Sequence, residues 1–454
     1  RLDRPPRRPP LHQPRGTKAE LMAEQESKLA FLRQSGWLAL ATGIAGLTSY
    51  AVHPFIKDAK AEYGAFTAML QLLNLIAIPA IGLQAVFTHK AAEAKTDDDH
   101  KRLAREQIAI GIVVFALAAV VCAWVYFNGN ALAASMKLPS LNVLLVTLAS
   151  GVFALLLPMV YGVLQGRQRF FWLGWAMLSL GVVRLAAVAG LVFAFDASAL
   201  NGMVGVGLGF LCAFLIAGTA SGLPSLHPGE WLRCVTQIDW RALLKKFVPL
   251  SLGGGAGIYM MSVDMVVVQR FFDKEQTGLY AAAGMIGRAL IFFVGPMVMV
   301  MFPKIVRSRA DQKPTDVLRL TLLLTAGLCV VAGGLGMLVP ELPLKLVYDK
   351  SFLAVAPLVT WFIWAMVPLA LAVVLVNNLL ARSDYAVAYV LPVVCAGYTI
   401  ALVQAAPGLV AQTVDFNVQA YIGVTKIIGA GNLAFLAVAG IFTWRYYRSA
   451  AEAR

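Results

Sequence analysis

Long apolar runs separated by short polar turns recur from Gly36 to Trp444. The pattern has neither the 3.6-residue stripe of a half-buried soluble helix nor the alternation of a strand, because the runs are apolar all round. The expected membrane spans in the first half are Gly36–Phe55, Tyr63–Phe87, Ile108–Phe127, Leu141–Leu164, Phe171–Phe195 and Asn201–Ser221. Two further runs of about 25 residues fill Lys246–Ser308, split by the polar turn Phe272–Thr277. Val317–Val339, Phe352–Leu379, Tyr385–Gln404 and Ala420–Trp444 complete the set. Each run is long enough for a hydrocarbon core of about 30 Å, so the expected fold is an all-α polytopic membrane protein of about twelve spans.

The polar stretches set the organisation. Residues 1–35 open with an Arg- and Pro-rich stretch expected to be disordered, followed by a helical, amphipathic lead-in. Thr88–Arg105 reads as a long polar loop. Residues 224–246, with Pro224, Pro228, Arg233 and Asp239, read as a linker between an N-terminal lobe (36–223) and a C-terminal lobe (247–444), with 445–454 as a basic tail.

Composition sharpens this picture. Hydrophobic residues make up 59 % of the chain and charged residues 14 %, against about 25 % charged in a soluble domain. The formal net charge of +14 is spread over alternate connections rather than gathered on one face, which argues against a nucleic-acid partner. One set of connections holds Lys90, Lys95, Lys101, Arg102, Arg105, Arg167, Arg169, Arg241, Lys245, Arg307, Arg382 and the basic tail. The opposite set holds far fewer cations, among them Lys57, Lys60, Lys137, Arg270 and Lys350. The positive-inside rule makes the rich set cytoplasmic, so the chain is expected in the cytoplasmic (inner) membrane with both termini on the cytoplasmic side and hence an even number of spans. The five Cys are scattered without a C-x-x-C, so they read as packing residues.

Ionisable residues within apolar runs are costly, about 2.5–3.5 kcal/mol each at mid-membrane, and mark partners or wet cavities. Asp264, Arg288, Arg184 and Lys426 are the ones here. By rise per residue, Arg184 and Arg288 fall near mid-depth, and Asp264 and Lys426 nearer the outer side. Two readings stay open: an ion pair such as Asp264 with Arg288 that locks neighbouring helices, or a cationic cavity for an anionic head group, with Asp264 as counterion or proton-coupling group. Gln71 and Asn74 share a helix face and suit sugar hydroxyls or inter-helix hydrogen bonds equally. His53 and Lys57 read as interfacial. The glycine run Gly253, Gly254, Gly255 and Gly257 reads as a close-packing surface, since no strand precedes it.

The hairpin with its intramembrane Asp264, then Glu275-x-x-Gly278-Leu279-Tyr280-Ala281-Ala282-Ala283, then an apolar run ending Phe302-Pro303-Lys304, resembles helices seven and eight of the polysaccharide flippases. These form part of the multidrug/oligosaccharidyl-lipid/polysaccharide (MOP) exporter superfamily. The two halves also look like weak copies: Glu62-Tyr63-Gly64 answers Glu275-Gln276-Thr277-Gly278, and each following span carries a proline, Pro79 or Pro296. Six spans per half gives a parallel repeat, with a substrate site expected between the halves. The resemblance implies two six-helix lobes in a V, working by alternating access.

No P-loop, zincin motif or defensible Ser/His/Asp set is present, so the expected activity is transport rather than catalysis, with no bound cofactor and H⁺ or Na⁺ as candidate coupling ions. The reading is a flippase for a lipid-linked oligosaccharide on an undecaprenyl diphosphate carrier, serving surface polysaccharide synthesis. Its partners are that lipid, membrane lipids and glycan-assembly enzymes. The alternatives are an ion-coupled exporter of cationic drugs, a membrane glycan polymerase or ligase, and a scaffold for such enzymes. The excess of cations over acids in the interior favours the anionic cargo.

Overall fold

A computed structural model describes residues 37–38, 40–223, 235–236, 238–310, 317–411 and 418–452. Residues 1–36, 39, 224–234, 237, 311–316, 412–417 and 453–454 lie outside these residues, among them the stretches read above as disordered lead-in, the first part of the linker and the tail end. Helices account for nearly everything described, and no strand occurs among the described residues.

Helix α1 covers residues 40–50. It is followed by α2 (His53–Ile56), α3 (Lys60–Ile76), α4 (Ile78–Glu93), α5 (Asp97–Ser135), α6 (Leu141–Gly166), α7 (Phe170–Ala194) and α8 (Ala199–Ser221). The second half contains α9 (Trp240–Phe271), α10 (Lys274–Ala310), α11 (Val317–Leu338) and the short α12 (Glu341–Val347). A 3-10 turn (Lys350–Val355) then leads to α13 (Ala356–Ala381), α14 (Ala386–Val410) and α15 (Val418–Glu452). Ten of these helices are individually long and apolar enough to cross a bilayer, and α3 with α4 forms an eleventh span bent by 42°. The expected first span is represented by α1.

The helices overrun the apolar runs because hydropathy marks the bilayer, not the end of hydrogen bonding. The expected long loop Thr88–Arg105 shrinks to residues 94–96: α4 runs on to Glu93 and α5 starts at Asp97. A capping box fixes that start, with Thr96 Oγ1 accepting from Asp99 N–H and Asp99 accepting from Thr96 N–H at 2.9 Å, two otherwise orphaned donors satisfied reciprocally. Likewise Asp239 caps α9, its carboxylate accepting from Ala242 N–H at 3.0 Å. Residues 240–246, read from sequence as linker, are therefore the first turns of α9. The expected single span Tyr63–Phe87 is two helices, because the ring of Pro79 removes a backbone donor in the first turn of α4.

Each half is a bundle, and the two meet where α3 and α4 pack on α9 and α10. Small residues let the backbones close. A Cβ on Gly255 would lie 2.2 Å from Ile78, and one on Gly254 2.9 Å from Ile81. Gly254 and Gly255 of the α9 glycine run thus pack against α4, while Gly253 and Gly257 face Leu380, Ala388 and Val373 of α13 and α14, as helix association in lipid favours. Outward-facing apolar side chains such as Phe115, Trp124, Phe127, Leu323 and Val393 are exposed around the rim and suit acyl chains. Trp172, Trp175, Trp361 and Trp364 are also substantially exposed.

Candidate functional site at the junction of the halves

The second half contains a buried charged cluster. Asp264 on α9 is 0 % exposed and Arg288 on α10 is 1 % exposed. Arg288 Nη2 donates to Asp264 Oδ2 at 2.5 Å, and Arg288 Nε donates to the Met261 carbonyl at 2.8 Å. Tyr280, two turns before Arg288 on the same helix, donates to the same carboxylate oxygen at 2.6 Å. The guanidinium lies over the ring of Phe362, 5.5 Å from its centroid. Gly284 makes room for it, since a Cβ there would sit 2.4 Å from Nη1. The pairing is incomplete: Asp264 Oδ1, Arg288 Nη1 and the nearby Tyr398 hydroxyl are buried without a hydrogen-bond partner. Such groups carry a desolvation cost of about 1–3 kcal/mol each, so this cluster holds unspent polar capacity in the protein interior.

A second polar chain crosses between the halves. His53 Nδ1 lies 3.0 Å from the Tyr63 hydroxyl, which is 2.7 Å from the hydroxyl of Tyr348 in the other half. His53 is 2 % exposed; the interfacial position expected from sequence is corrected, because α2 folds it against Tyr63 and Phe66. Arg184 on α7 lies in electrostatic range of His53, and Arg288 in electrostatic range of Tyr63. One arginine from each half is therefore within electrostatic reach of this buried chain. Arg184 Nε is buried and unpartnered, and the backbone of its helix lies against Gly209 of α8.

The other residues singled out from sequence lie apart from this layer. Gln71 and Asn74 are bonded to each other on α3, Asn74 Nδ2 donating to Gln71 Oε1 at 3.2 Å. Lys426 is exposed, its ammonium 5.3 Å from the centroid of the Trp361 ring. The structure adds Tyr63, Tyr348 and Tyr398, for which a single sequence carries no ionisable marker inside an apolar run. Tyr348 is also separated from Tyr63 by 285 positions.

The junction is sealed at the end with few basic loops. Lys137 Nζ, in the α5–α6 connection, donates to the carbonyls of Phe271 at 3.1 Å and Phe272 at the end of α9. Gln269 Nε2 donates to the Met136 carbonyl at 3.2 Å. Lys60 Nζ lies over Phe352, and Gly278 is so close to α3 that a Cβ would meet the Lys60 carbonyl at 2.1 Å. These contacts, with Tyr63–Tyr348, close the two halves over the buried layer.

Two packed bundles of membrane-length helices, with a buried ion pair beside their junction, define a polytopic membrane protein. Solved structures of MOP superfamily transporters share the fold. An inward-facing multidrug resistance MATE family transporter matches with TM-score 0.69 at 13 % identity, covering 90 % of this chain and 96 % of that one. The lipid II flippase MurJ, inward closed, matches with TM-score 0.64 at 16 % identity, covering 89 % and 87 %. A MOP transporter from Pyrococcus furiosus gives TM-score 0.64 at 13 % identity, covering 93 % and 96 %. No curated protein matches the sequence. Residues 32–309 match the family described as polysaccharide biosynthesis protein, and the chain belongs to that family.

Proposed function

We propose that this membrane flippase carries a lipid-linked oligosaccharide on an undecaprenyl diphosphate anchor, by alternating access. The observation that carries the reading is the balance of charge at the junction. Arg184 and Arg288 reach it electrostatically from opposite halves, and Asp264, the acid among these intramembrane residues, is already engaged by Arg288 and Tyr280. A diphosphate crossing hydrocarbon needs fixed positive charge, and guanidinium forks match phosphate oxygens. Arg184, with an orphaned Nε, is the first contact; Arg288 becomes available as the halves separate around it.

With the basic loops on the cytoplasmic side, the seal at Tyr63–Tyr348 and Lys137 is external. The conformation is then one that receives cargo from the cytoplasm. The head group enters between the lobes while the prenyl tail stays in lipid, and breaking the external seal releases it outside. Asp264 serves as the counterion that Arg288 gives up when cargo arrives, and proton or sodium binding there is the candidate coupling step. Gln71 and Asn74 would exchange their mutual hydrogen bond for sugar hydroxyls.

The test is mass spectrometry of lipid-linked sugars after depletion of the protein in its native cell. Accumulation of an undecaprenyl diphosphate glycan, with loss of the matching surface polymer, is expected. An unchanged lipid profile with new sensitivity to cationic dyes would instead identify a cationic-drug exporter.

A further inference from the structure

A second site lies in the first half, away from the junction. At the basic end, the last turn of α4, the start of α5, the α6–α7 turn and the end of α8 enclose a cavity of about 640 Å³. Ala91, Ala92, Gly166 and Gly222 leave the space, while His100, Lys101, Arg167 and Arg169 line it against the acid Asp97.

Part of this chemistry is structural. Arg167 Nη1 donates to the Ser221 carbonyl and Arg169 Nη1 to the Ala220 carbonyl, each at 2.7 Å. Basic side chains commonly satisfy the last carbonyls of a helix in this way. The residue exceeds that task, however. Arg167 Nη2 donates to His100 Nδ1 at 3.3 Å, which leaves the imidazole proton on Nε2 as a further donor. Arg167 Nε is buried with no partner, an uncommon and costly condition for a guanidinium donor. Burial, and then the like charge of Arg169, depress the Arg167 pKa, so an incoming anion would relieve both. Among the described residues no ion pair joins Arg167 or Arg169 to a carboxylate: Asp99 is spent on the α5 capping box and Glu106 on Lys90 and Arg102, and Asp97, though it lines the cavity, makes no salt bridge to either arginine.

We infer that this cavity binds a phosphate group, that of an anionic phospholipid headgroup of the adjoining leaflet, held by Arg167, Arg169 and Lys101. Basic pockets between membrane helices at the cytoplasmic surface bind acidic headgroups in this manner. The site is formed by one half alone, so it persists through separation of the halves. It is a place where lipid composition reaches the α4–α5 and α6–α7 connections.

The experiment uses the purified, delipidated full chain. Thermal unfolding is followed while phosphatidylglycerol, phosphatidylcholine or inorganic phosphate is titrated in. Phosphatidylglycerol raises the unfolding temperature at concentrations where phosphatidylcholine does not. Arg167→Gln/Arg169→Gln weakens that response by more than tenfold, at about fivefold for each cation removed. Lys101→Glu, which leaves the helix-capping bonds untouched, weakens it about fivefold or more and covers the case in which the double variant does not fold. Arg445→Gln, in the last basic segment, leaves it unchanged. If inorganic phosphate reproduces the shift and the same variants abolish it, the anion site stands and its ligand is a soluble phosphate. Equal responses to the two lipids, or an unaltered response in Lys101→Glu, overturn the inference.

Discussion

Replacing Arg288 with Met tests whether the buried pair is a mutual dependence. The substitution removes the bond from Nη2 to Asp264 and leaves the carboxylate with Tyr280 alone, in a position that is 0 % exposed. Stranding one member of a buried ion pair costs about 3–5 kcal/mol, whereas replacing both members with apolar groups of similar volume is often neutral or stabilising. At roughly 2 °C per kcal/mol for a large chain, Arg288→Met and Asp264→Leu should each unfold about 6–10 °C below the parent in detergent. The double variant Asp264→Leu/Arg288→Met should recover most of that loss. Intrinsic tryptophan fluorescence of the purified proteins reads the unfolding, and immunoblotting of membranes reads the level in cells. Single variants within a degree of the parent, or losses that simply add in the double variant, would refute the dependence. The double variant then also separates structure from transport: folded but unable to move cargo, it would assign the charges to function.

Four other outcomes are expected. Gly278→Ala places a methyl group against the Lys60 carbonyl and should widen the distance between spin labels at positions 58 and 350; an unchanged distribution counts against the close approach. Tyr63→Phe removes the hydroxyl that joins His53 to Tyr348, and at about 1 kcal/mol per hydrogen bond it should shift the same distribution about fivefold towards separated halves. Arg184→Gln should abolish accumulation-reversing transport in a complementation assay while lowering the unfolding temperature by only a few degrees, since its Nε has no partner to lose. Thr96→Ala removes the capping box of α5 at a cost of about 1 kcal/mol, seen as faster amide exchange over residues 97–101 with little change elsewhere.

The spans were legible because lipid imposes one rule on every run: apolar side chains outside and backbone bonds satisfied within the helix. Asp264, Arg184 and Arg288 were legible for the converse reason, since ionisable groups in apolar runs need an explanation. Lys426, singled out by the same logic, lies exposed with its ammonium beside the Trp361 ring; His53, whose place near a span end suggested an interface, is instead buried against Tyr63 and Phe66. Hydropathy could not show that α5 starts at Asp97 or that α9 starts at Trp240, because a capped helix continues into water without an apolar signal. Nor could it reveal Tyr63 with Tyr348: tyrosines are ordinary in membrane helices, and this pair is defined only by how two distant halves meet.

The different pairing of the two arginines has an electrical consequence. Arg288 travels with Asp264, so the pair is a dipole of zero net charge, and a uniform field does no net work in displacing it. Arg184 has no acidic partner among the described residues. A full elementary charge carried across a membrane exchanges about 2.3 kcal/mol per 100 mV. Any fraction of that path traversed by α7 as the halves rock would therefore be driven or resisted by the potential, and a diphosphate cargo, with about two negative charges, held on Arg184 would reverse the sign of the coupling rather than cancel it. On that reading voltage would act on the empty carrier through one side chain, and loading the carrier would invert the sense of that sensitivity.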